Sequence, residues 1–347
     1  MLTATALKAK AAELGFDACG VARAERHPKL ARLADWIDEG RSGAMQYLHD
    51  SLAERLDIGE FLPGARSVIS LGCVYNTPHA TSADATAEPG RAAIARYAWG
   101  DDYHEVLRGR LRLLVSWMAE EAGPGLEALT CVDDGPVQER VFAEQAGVGW
   151  IGKNTCVINP KLGSWLFLAE VVTNAELERD AAAVDQCGTC TRCLDACPTG
   201  AIIEPYVVDA TRCLSYLTIE LRAPVDDELR LAIGPQVLGC DICQDVCPWN
   251  RRAAVSDDPA WQPRAGLLFP RLLDLCLLSD EAWRPLLKGS AMRRAGLRRI
   301  RRALAYAAAS LEGLDASRAL EALARQPSAA HPDVAEALEW ARRHVHP

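Results

Sequence analysis

The sequence contains no long apolar segment. No stretch of its 347 residues reaches the ~18–20 uninterrupted apolar residues that a membrane span requires. Segment 1–16 has neither the apolar core of a signal peptide nor a twin-arginine pair. Gly147, Gly149 and Gly152 are more readily turn glycines than a phosphate cradle, so nothing indicates an integral flavin or nicotinamide site. We therefore expect a cytoplasmic protein with no membrane partner.

Acidic residues outnumber basic residues in the chain as a whole. The net charge of −9 argues against non-specific nucleic-acid binding. Segment 284–310 is an exception, because it has no acidic residue. Its basic side chains are Arg284, Lys288, Arg293, Arg294, Arg298, Arg299, Arg301 and Arg302. Several recur about one helical turn apart, so the segment predicts either a phosphate-binding surface or an ordinary solvated helix face.

Cysteine, by contrast, is abundant and closely spaced. Segment 187–200, CGTCTRCLDACPTG, has the spacing C-x2-C-x2-C-x3-C-P that is typical of bacterial ferredoxins. Segment 240–249, CDICQDVCPW, repeats this pattern with one cysteine missing, and Cys213 can supply it. In ferredoxins the fourth cysteine of each run binds the other cluster.

The cysteines therefore predict two 4Fe–4S clusters. The first set is Cys187, Cys190, Cys193 and Cys247, and the second is Cys197, Cys213, Cys240 and Cys243. Zinc is the alternative, although zinc knuckles usually come as two separated pairs. Disulfides fit less well, because nothing suggests secretion. The five scattered cysteines, Cys19, Cys73, Cys131, Cys156 and Cys276, are expected to be small core residues.

Helical and strand patterns alternate over the first ~175 residues, which predicts a layered α/β (α+β) region. Helices are predicted at 4–14, 103–121 and 137–145, and strands at 16–22, 67–71 and 126–132. Segments 156–158 and 165–172 are predicted to pair around a turn at 160–163. After 249 the sequence reads as helical. We predict domains at 1–180, 181–255 (ferredoxin-like, two clusters) and 256–347 (short, repeat-like helical cap).

Asp133 is the candidate catalytic residue, because it follows a predicted strand at a turn. A carboxyl group pushed toward neutrality there can donate a proton at pH 7. The alternative is a helix cap, for which Asp134 is better placed. Tyr103 and His104 begin a helix and are as readily structural as ligand-binding.

Several motifs together resemble one enzyme family. They include FLPGARSVI (61–69), RYAWGDDYHEVLR (96–108), VDDGPVQER (132–140), AGVGWIGKNT (146–155) and GCDICQDVCPWN (239–250). Over nearly its full length the chain is similar to epoxyqueuosine reductases, which modify tRNA. The resemblance implies reduction of epoxyqueuosine, at the wobble position of tRNA anticodons, to queuosine, the last step of queuosine biosynthesis. It also implies cobalamin in the N-terminal region, clusters that feed it electrons, and Asp133 as the proton donor.

The resemblance also implies individual contacts. Cofactor-binding positions would be Arg55, Ala95 (often Cys in relatives), Asp133, Lys153, Asn154, Val157, Leu168, Ser215, Cys240 and Asp241. Contacts to tRNA would come from Arg222 and from the basic helical tail, namely Arg293, Arg294, Arg298, Arg299, Arg301 and Arg302. The tail departs from the family at Arg302-Ala303, where relatives often have Arg-Asn, and it is short.

Three hypotheses follow for the function. The first is a monomeric tRNA-modifying oxidoreductase that receives electrons from a flavodoxin or ferredoxin system. The second is a reductive dehalogenase, which also combines cobalamin with two clusters but typically carries a twin-arginine signal. The third is a ferredoxin-type carrier with no substrate, which would need neither a corrin nor a proton donor.

Overall fold

The computed structural model describes residues 2–345, and its central element is a four-stranded antiparallel sheet in the order β1-β2-β7-β4. Short two-stranded sheets pair β5 with β6, β8 with β9 and β3 with β10. The strands are β1 (Ala18–Arg23), β2 (Ser67–Val74), β3 (Ala93–Ile94), β4 (Ala128–Cys131), β5 (Trp150–Ile151), β6 (Val157–Ile158), β7 (Leu166–Thr173), β8 (Ile202–Glu204), β9 (Val207–Val208) and β10 (Gln236–Leu238).

Helices surround this sheet and build the C-terminal part. They are α1 (Ala4–Glu13), α2 (Pro28–Asp38), α3 (Gln46–Asp50), α4 (Leu52–Leu56), α5 (Ile58–Phe61), α6 (Ser82–Thr86), α7 (Tyr103–Ala122), α8 (Glu139–Gln145), α9 (Arg192–Ala196), α10 (Leu214–Ile219), α11 (Asp227–Ile233), α12 (Ile242–Asp245), α13 (Leu272–Leu277), α14 (Asp280–Leu287), α15 (Gly296–Ala308), α16 (Gly313–Ala324) and α17 (Pro332–His344). Within residues 2–345, no helix is long and apolar enough to cross a membrane.

The two faces of the sheet belong to two different cores, because neighbouring side chains of a strand point to opposite faces. Ile69 and Leu71 of β2 pack on the side of α1 and α7. Val68 and Val172 pack on the other side, against α2 and α8. All eight residues of β2 are buried, as its β-branched sequence predicts.

A third core joins separate parts of the chain. It contains residues from 92–99, from 210–238 and from the C-terminal helices between 267 and 341. The layered α+β region, the ferredoxin-like segment and the helical cap are thereby confirmed as the fold class. The boundaries at 180/181 and 255/256 stay predictions.

One predicted strand pairing is wrong. Strand β6 pairs with β5, through Trp150 opposite Ile158, and β7 pairs with β2 and β4. A single bridge between Asn159 and Gly163 closes the predicted turn. The long β7 therefore lies inside the main sheet, where it buries far more apolar surface than a local hairpin would.

Candidate active site

Asp133 lies directly after β4, in the left-handed backbone region with a φ of 60°. Its carboxylate Oδ2 accepts a hydrogen bond from the hydroxyl of Tyr103 at 2.8 Å. The Nε2 atom of His104 is 4.0 Å from the same oxygen. The side chain of Asp133 is 58% exposed, so a substrate can reach it.

The capping alternative for this carboxylate does not apply. Helix α8 begins at Glu139, and the residue before it, Gln138, makes no capping hydrogen bond with its side chain. Asp134 accepts the backbone N–H of Val132 at 3.1 Å and forms an ion pair with Arg108. Asp134 thus fixes the turn, while Asp133 points its carboxylate at Tyr103.

An aromatic wall supports the Tyr103 hydroxyl. The Tyr103 ring stacks on Phe167 with a centroid distance of 4.4 Å and on His104 at 4.0 Å. Burial, followed by the charge of Asp133, raises the pKa of Tyr103 well above its usual value. Tyr103 therefore keeps its proton and acts as a hydrogen-bond donor to Asp133 at neutral pH.

His104 is oriented by its own helix cap. Asp102 precedes α7, and its Oδ1 accepts the backbone N–H of His104 at 3.2 Å and lies 2.7 Å from the ring Nδ1. The hydrogen bond from His104 is the largest cause that lowers the pKa of Asp102. A carboxylate on Nδ1 leaves the Nε2 side of the ring for Asp133.

A charged aromatic rim borders the Asp133 loop. The Arg55 guanidinium lies 5.9 Å from the ring centroid of Tyr47, and the Arg294 guanidinium lies 5.5 Å from it. Arg55 also donates to the carbonyl oxygen of Gly135 at 3.2 Å. Arg294 forms an ion pair with Glu220 at 2.8 Å. The predicted cofactor contact Arg55 and the predicted tRNA contact Arg294 therefore meet at one opening.

The cysteines of the first predicted set lie together. Cys187, Cys190, Cys193 and Cys247 line one cavity of about 40 Å³. Burial is the largest cause that raises the pKa of the Cys193 thiol, and the neighbouring Cys187 and Cys190 add to it. Four thiols around a shared cavity fit an iron–sulfur cluster.

The second predicted set is brought together as well. Burial, and then the neighbouring Cys213 and Cys197 among other groups, raises the pKa of Cys240. A hydrogen bond with Cys156 is the largest cause that raises the pKa of Cys243, and the neighbouring Cys240 and Cys213 add to it. Cys156 therefore lies against a predicted ligand rather than in an apolar core, in contrast to the expectation for the scattered cysteines.

Two neighbouring residues tie the cluster loops to the sheet region. Lys153 Nζ donates to the carbonyl oxygens of Gly188 at 2.7 Å and Cys190 at 3.0 Å. Asn154 donates to the carbonyl oxygen of Cys243 at 3.4 Å. These two predicted cofactor contacts thus bridge the first and the second cluster loops.

Other predicted cofactor contacts lie beside the second set of cysteines. Asp241 Oδ2 accepts the backbone N–H of Arg96 at 2.7 Å, next to Ala95. Gly239 packs so closely on Ala95 that a Cβ atom at Gly239 would lie 2.6 Å from the Ala95 Cβ. Ser215 is half-buried near Cys213.

Tyr97 lies within electrostatic reach of both Asp133 and Asp241. Burial, followed by the charges of Asp133 and Asp241, raises the pKa of Tyr97. Val157 is buried and Leu168 is half-buried, and both pack in the apolar core beside α8. Small and apolar side chains with polar groups at the rim fit a large, flat, mostly apolar ring such as a corrin.

The basic tail separates into exposed and buried arginines. Arg222, Arg293, Arg294 and Arg298 are exposed, and Arg299 is half-buried with a hydrogen bond to the carbonyl oxygen of Leu221. The side chains of Arg301 and Arg302 are each only 1% exposed.

The prediction that Arg301 and Arg302 contact tRNA is therefore corrected. Arg301 forms an ion pair with Asp280 at 2.9 Å and donates to the carbonyl oxygen of Leu278 at 2.6 Å. Arg302 donates to the carbonyl oxygens of Leu217 at 2.6 Å and Leu221 at 3.0 Å. Both guanidinium groups satisfy buried acceptors, so neither reaches a phosphate.

The sequence reasoning missed two carboxyl groups behind Asp133. Glu139 accepts the backbone N–H of Asp133 at 2.6 Å, and Glu170 of β7 is fully buried beside it. Glu139 lies in the VDDGPVQER motif, and Glu170 is the one charged residue of the strand LFLAEVVT. A lone acidic residue in an otherwise apolar strand was the available signal.

The two sets of cysteines and the exposed Asp133 carboxyl together define an oxidoreductase that has two iron–sulfur clusters and an acidic residue at its site. Matching family models agree. One, described as "4Fe-4S double cluster binding domain", covers residues 186–250, which favours iron–sulfur over zinc. Another, described as "Epoxyqueuosine reductase QueG, DUF1730", covers residues 55–134.

Similar proteins give the family. The epoxyqueuosine reductase of Gloeobacter violaceus is 45% identical over 86% of this chain and 94% of its own length. A crystal structure of epoxyqueuosine reductase with an epoxyqueuosine-modified tRNA-Tyr stem loop has a TM-score of 0.86 at 31% identity, with 97% of this chain and 88% of that chain covered. The chain belongs to the epoxyqueuosine reductase family, and the resemblance seen in the motifs is confirmed.

A second solved structure concerns the catalytic loop. Epoxyqueuosine reductase from Bacillus subtilis has a TM-score of 0.86 at 30% identity, with 97% of this chain and 88% of that chain covered. It was solved with its catalytic aspartate loop swung out of the active site.

Proposed function

We propose that this chain reduces the epoxide of epoxyqueuosine in tRNA to the alkene of queuosine. The observation that carries the proposal is the exposed Asp133 carboxyl, held by Tyr103, in a member of the epoxyqueuosine reductase family. In this reaction the substrate takes up electrons and protons and releases its epoxide oxygen as water.

Asp133 acts as the proton donor. Its carboxyl proton moves to the departing epoxide oxygen and leaves a carboxylate. The Tyr103 hydroxyl, 2.8 Å from Oδ2, donates to that carboxylate and stabilises it. Because the other carboxyl oxygen is free of Tyr103 and the side chain is exposed, Asp133 can reach a bound nucleoside.

Two 4Fe–4S clusters and cobalamin are the cofactors. Cobalamin, when bound, would supply the electrons that open the epoxide, and the clusters would supply electrons to the cobalamin site. Cys187, Cys190, Cys193 and Cys247 hold one cluster, and Cys197, Cys213, Cys240 and Cys243 hold the other. The residues that contact cobalamin are Arg55, Ala95, Asp133, Lys153, Asn154, Val157, Leu168, Ser215, Cys240 and Asp241.

The tRNA substrate binds at the rim around Asp133. Exposed Arg222, Arg293, Arg294 and Arg298 supply positive charge on an otherwise acidic protein. Phosphate contacts from arginine set the register of a bound nucleic acid, and anticodon loops are single-stranded targets whose bases can be splayed out. A solved relative with an epoxyqueuosine-modified tRNA stem loop supports tRNA as the substrate.

The Asp133 loop moves during the cycle. The catalytic loop of the B. subtilis relative has been seen swung out of the active site. In this chain residues 133–136 of the Asp133 loop lie at the protein surface next to Arg55 and Arg108. Movement of the loop would let tRNA enter before Asp133 takes its working position.

A low-potential flavodoxin or ferredoxin system supplies the electrons to a cytoplasmic monomer. Family membership favours the tRNA-modifying reductase over the dehalogenase and carrier hypotheses.

The test is conversion of the substrate itself. The chain is reconstituted anaerobically with iron, sulfide and cobalamin, reduced, and incubated with tRNA that contains epoxyqueuosine. Nucleoside mass analysis is expected to show queuosine, and only when cobalamin is present. Intact clusters and bound cobalamin without conversion would refute the proposal and favour the dehalogenase hypothesis.

A further inference from the structure

Glu170 is an unusual residue for the centre of a sheet. It is 0% exposed on β7, directly opposite Ser70 of β2 on one side and Cys131 of β4 on the other. The Ser70 hydroxyl donates to Glu170 Oε1 at 3.1 Å. Among residues 2–345, no donor faces the second oxygen, Oε2. A fully ionised carboxylate with one neutral donor is strongly disfavoured at such a place.

The neighbour of Glu170 is a second carboxyl group. Glu139, the first residue of α8, contacts Glu170 side chain to side chain. Burial, followed by the charge of Asp133, raises the pKa of Glu139. Burial, followed by the charge of Glu139, raises the pKa of Glu170. The positive charges that face the pair, Arg140 and Arg55, do not cancel these effects.

A proton shared by Glu139 and Glu170 removes the repulsion between the two carboxylates and pairs the buried Oε2 of Glu170. Two carboxylates in contact cannot both be ionised without strong repulsion, whereas one shared proton turns the contact into a hydrogen bond. That hydrogen bond also gives Glu170 Oε2 the partner that it lacks.

Glu139 is in turn bonded to the catalytic residue. Its Oε1 accepts the backbone N–H of Asp133 at 2.6 Å. Asp133 has a φ of 60°, a conformation that is uncommon for residues with a side chain, although aspartate adopts it more readily than most. Tyr103 holds the carboxylate of Asp133, and Glu139 holds its backbone.

We propose that Glu139 and Glu170 share one proton, and that this carboxyl pair positions Asp133 for proton donation. Glu139 and Glu170 are positioning residues, since neither contacts the substrate. Release of the Asp133 N–H from Glu139 is the event that frees the loop to swing out. The inference rests on the proposed role of Asp133 as the acid.

Four variants test the proposal in the full chain loaded with clusters and cobalamin. Glu139→Ala removes both hydrogen bonds. Glu139→Gln keeps an acceptor for the Asp133 N–H and places an amide donor next to Glu170, and Glu170→Gln places the amide on the other partner. Glu144→Gln is the matched control, because Glu144 is a buried carboxyl on the same helix that binds Lys29 and the backbone of Ile151 instead.

Amide hydrogen exchange at Asp133, without tRNA, reports on the backbone bond. In Glu139→Ala we expect exchange to accelerate about tenfold, as loss of one hydrogen bond implies. The kcat for conversion should fall by at least about tenfold, with little change in the KM for tRNA, because only the position of the acid changes. Glu139→Gln is expected to restore both quantities. Unchanged exchange and kcat in Glu139→Ala would overturn the positioning role.

Infrared spectroscopy at pH 7 reports on the proton. The wild-type chain should show a protonated-carboxyl C=O band that is lost in Glu139→Gln and equally in Glu170→Gln, but kept in Glu144→Gln. A band that persists in both single variants would overturn the shared proton. Because neither spectroscopic readout needs tRNA, a failure of this inference remains distinguishable from a failure of the proposed reaction.

Discussion

At the scale of single residues, contacts with neighbouring residues fix the position of Asp133. Its carboxylate is paired with Tyr103, its backbone with Glu139, and its loop with Arg55 through Gly135. The motif VDDGPVQER identified Asp133 and contained Glu139. It did not reveal Glu170, because that contact depends on a strand pairing between residues far apart in the chain.

Replacement of the carboxyl pair should change how stability depends on pH. Folding raises the pKa of each group. The protonated form therefore stabilises the folded state fully below the pKa of an unfolded glutamate, about 4.3. This stabilisation is lost as the pH rises through the pKa of the folded state. Asp133, Arg140 and Arg55 face the pair and modulate this loss.

We therefore expect the thermal midpoint of the wild-type chain to fall from pH 5 to pH 8. The free energy of unfolding then falls by at most about 1.4 kcal/mol per pH unit for each titrating group. The double variant Glu139→Gln, Glu170→Gln should flatten this slope. An identical pH dependence in both proteins would show that the pair does not hold a proton in the folded state.

At the scale of elements, α15 shows what a sequence pattern can and cannot predict. Helical spacing correctly placed several arginines on one helix. It did not show that Arg301 and Arg302 face inward, because their acceptors lie on distant segments at Asp280 and the carbonyl oxygens of α10 and its end. The predicted pairing of β6 with β7 failed because β7 pairs with β2 and β4, which lie much earlier in the chain, while β6 pairs with the nearby β5.

The two kinds of arginine should therefore respond differently to substitution. Arg222→Ala removes an exposed charge, so we expect weaker tRNA binding, a salt dependence of log Kd reduced by about one, and an unchanged thermal midpoint. Arg302→Ala leaves the carbonyl oxygens of Leu217 and Leu221 without this donor in the interior, so we expect it to cost about 1–3 kcal/mol of stability for each unsatisfied group.

Two measurements separate the effects on tRNA affinity and on stability. One is binding of an epoxyqueuosine-modified stem loop at several salt concentrations, and the other is thermal unfolding. The contradicting result would be a stable Arg302→Ala variant with a selective loss of tRNA affinity. If the Arg222→Ala variant binds the stem loop with the salt dependence of the wild-type chain, Arg222 does not contact the tRNA.

At the scale of the whole molecule, we propose an electron path that runs from the two sets of cysteines to the site of the proton donor. The spacing of the cysteines was enough to predict both sets, because each ferredoxin-like run is local and the crossover rule joins them. The structure brings both sets together and links their loops through Lys153 and Asn154. Sequence spacing did not show that Cys156 lies against Cys243.

The ligand assignment predicts the iron content of two variants. Cys243→Ala should lose about half of the iron, because it removes one thiolate of the second set. Cys156→Ala, its neighbour and matched control, should keep all of it. Iron and sulfide analysis with electron paramagnetic resonance after anaerobic reconstitution checks both, and iron loss in Cys156→Ala would require a different ligand set.

The most direct test of the central claim compares Asp133→Asn with the wild-type chain in a single turnover of epoxyqueuosine-containing tRNA. Both proteins carry both clusters, and cobalamin binding is verified from the absorption spectrum. We expect the variant to bind cobalamin and tRNA normally and to form queuosine at least about 10²-fold more slowly, because an amide cannot supply the proton. Conversion at the wild-type rate would contradict the assignment of Asp133 as the acid.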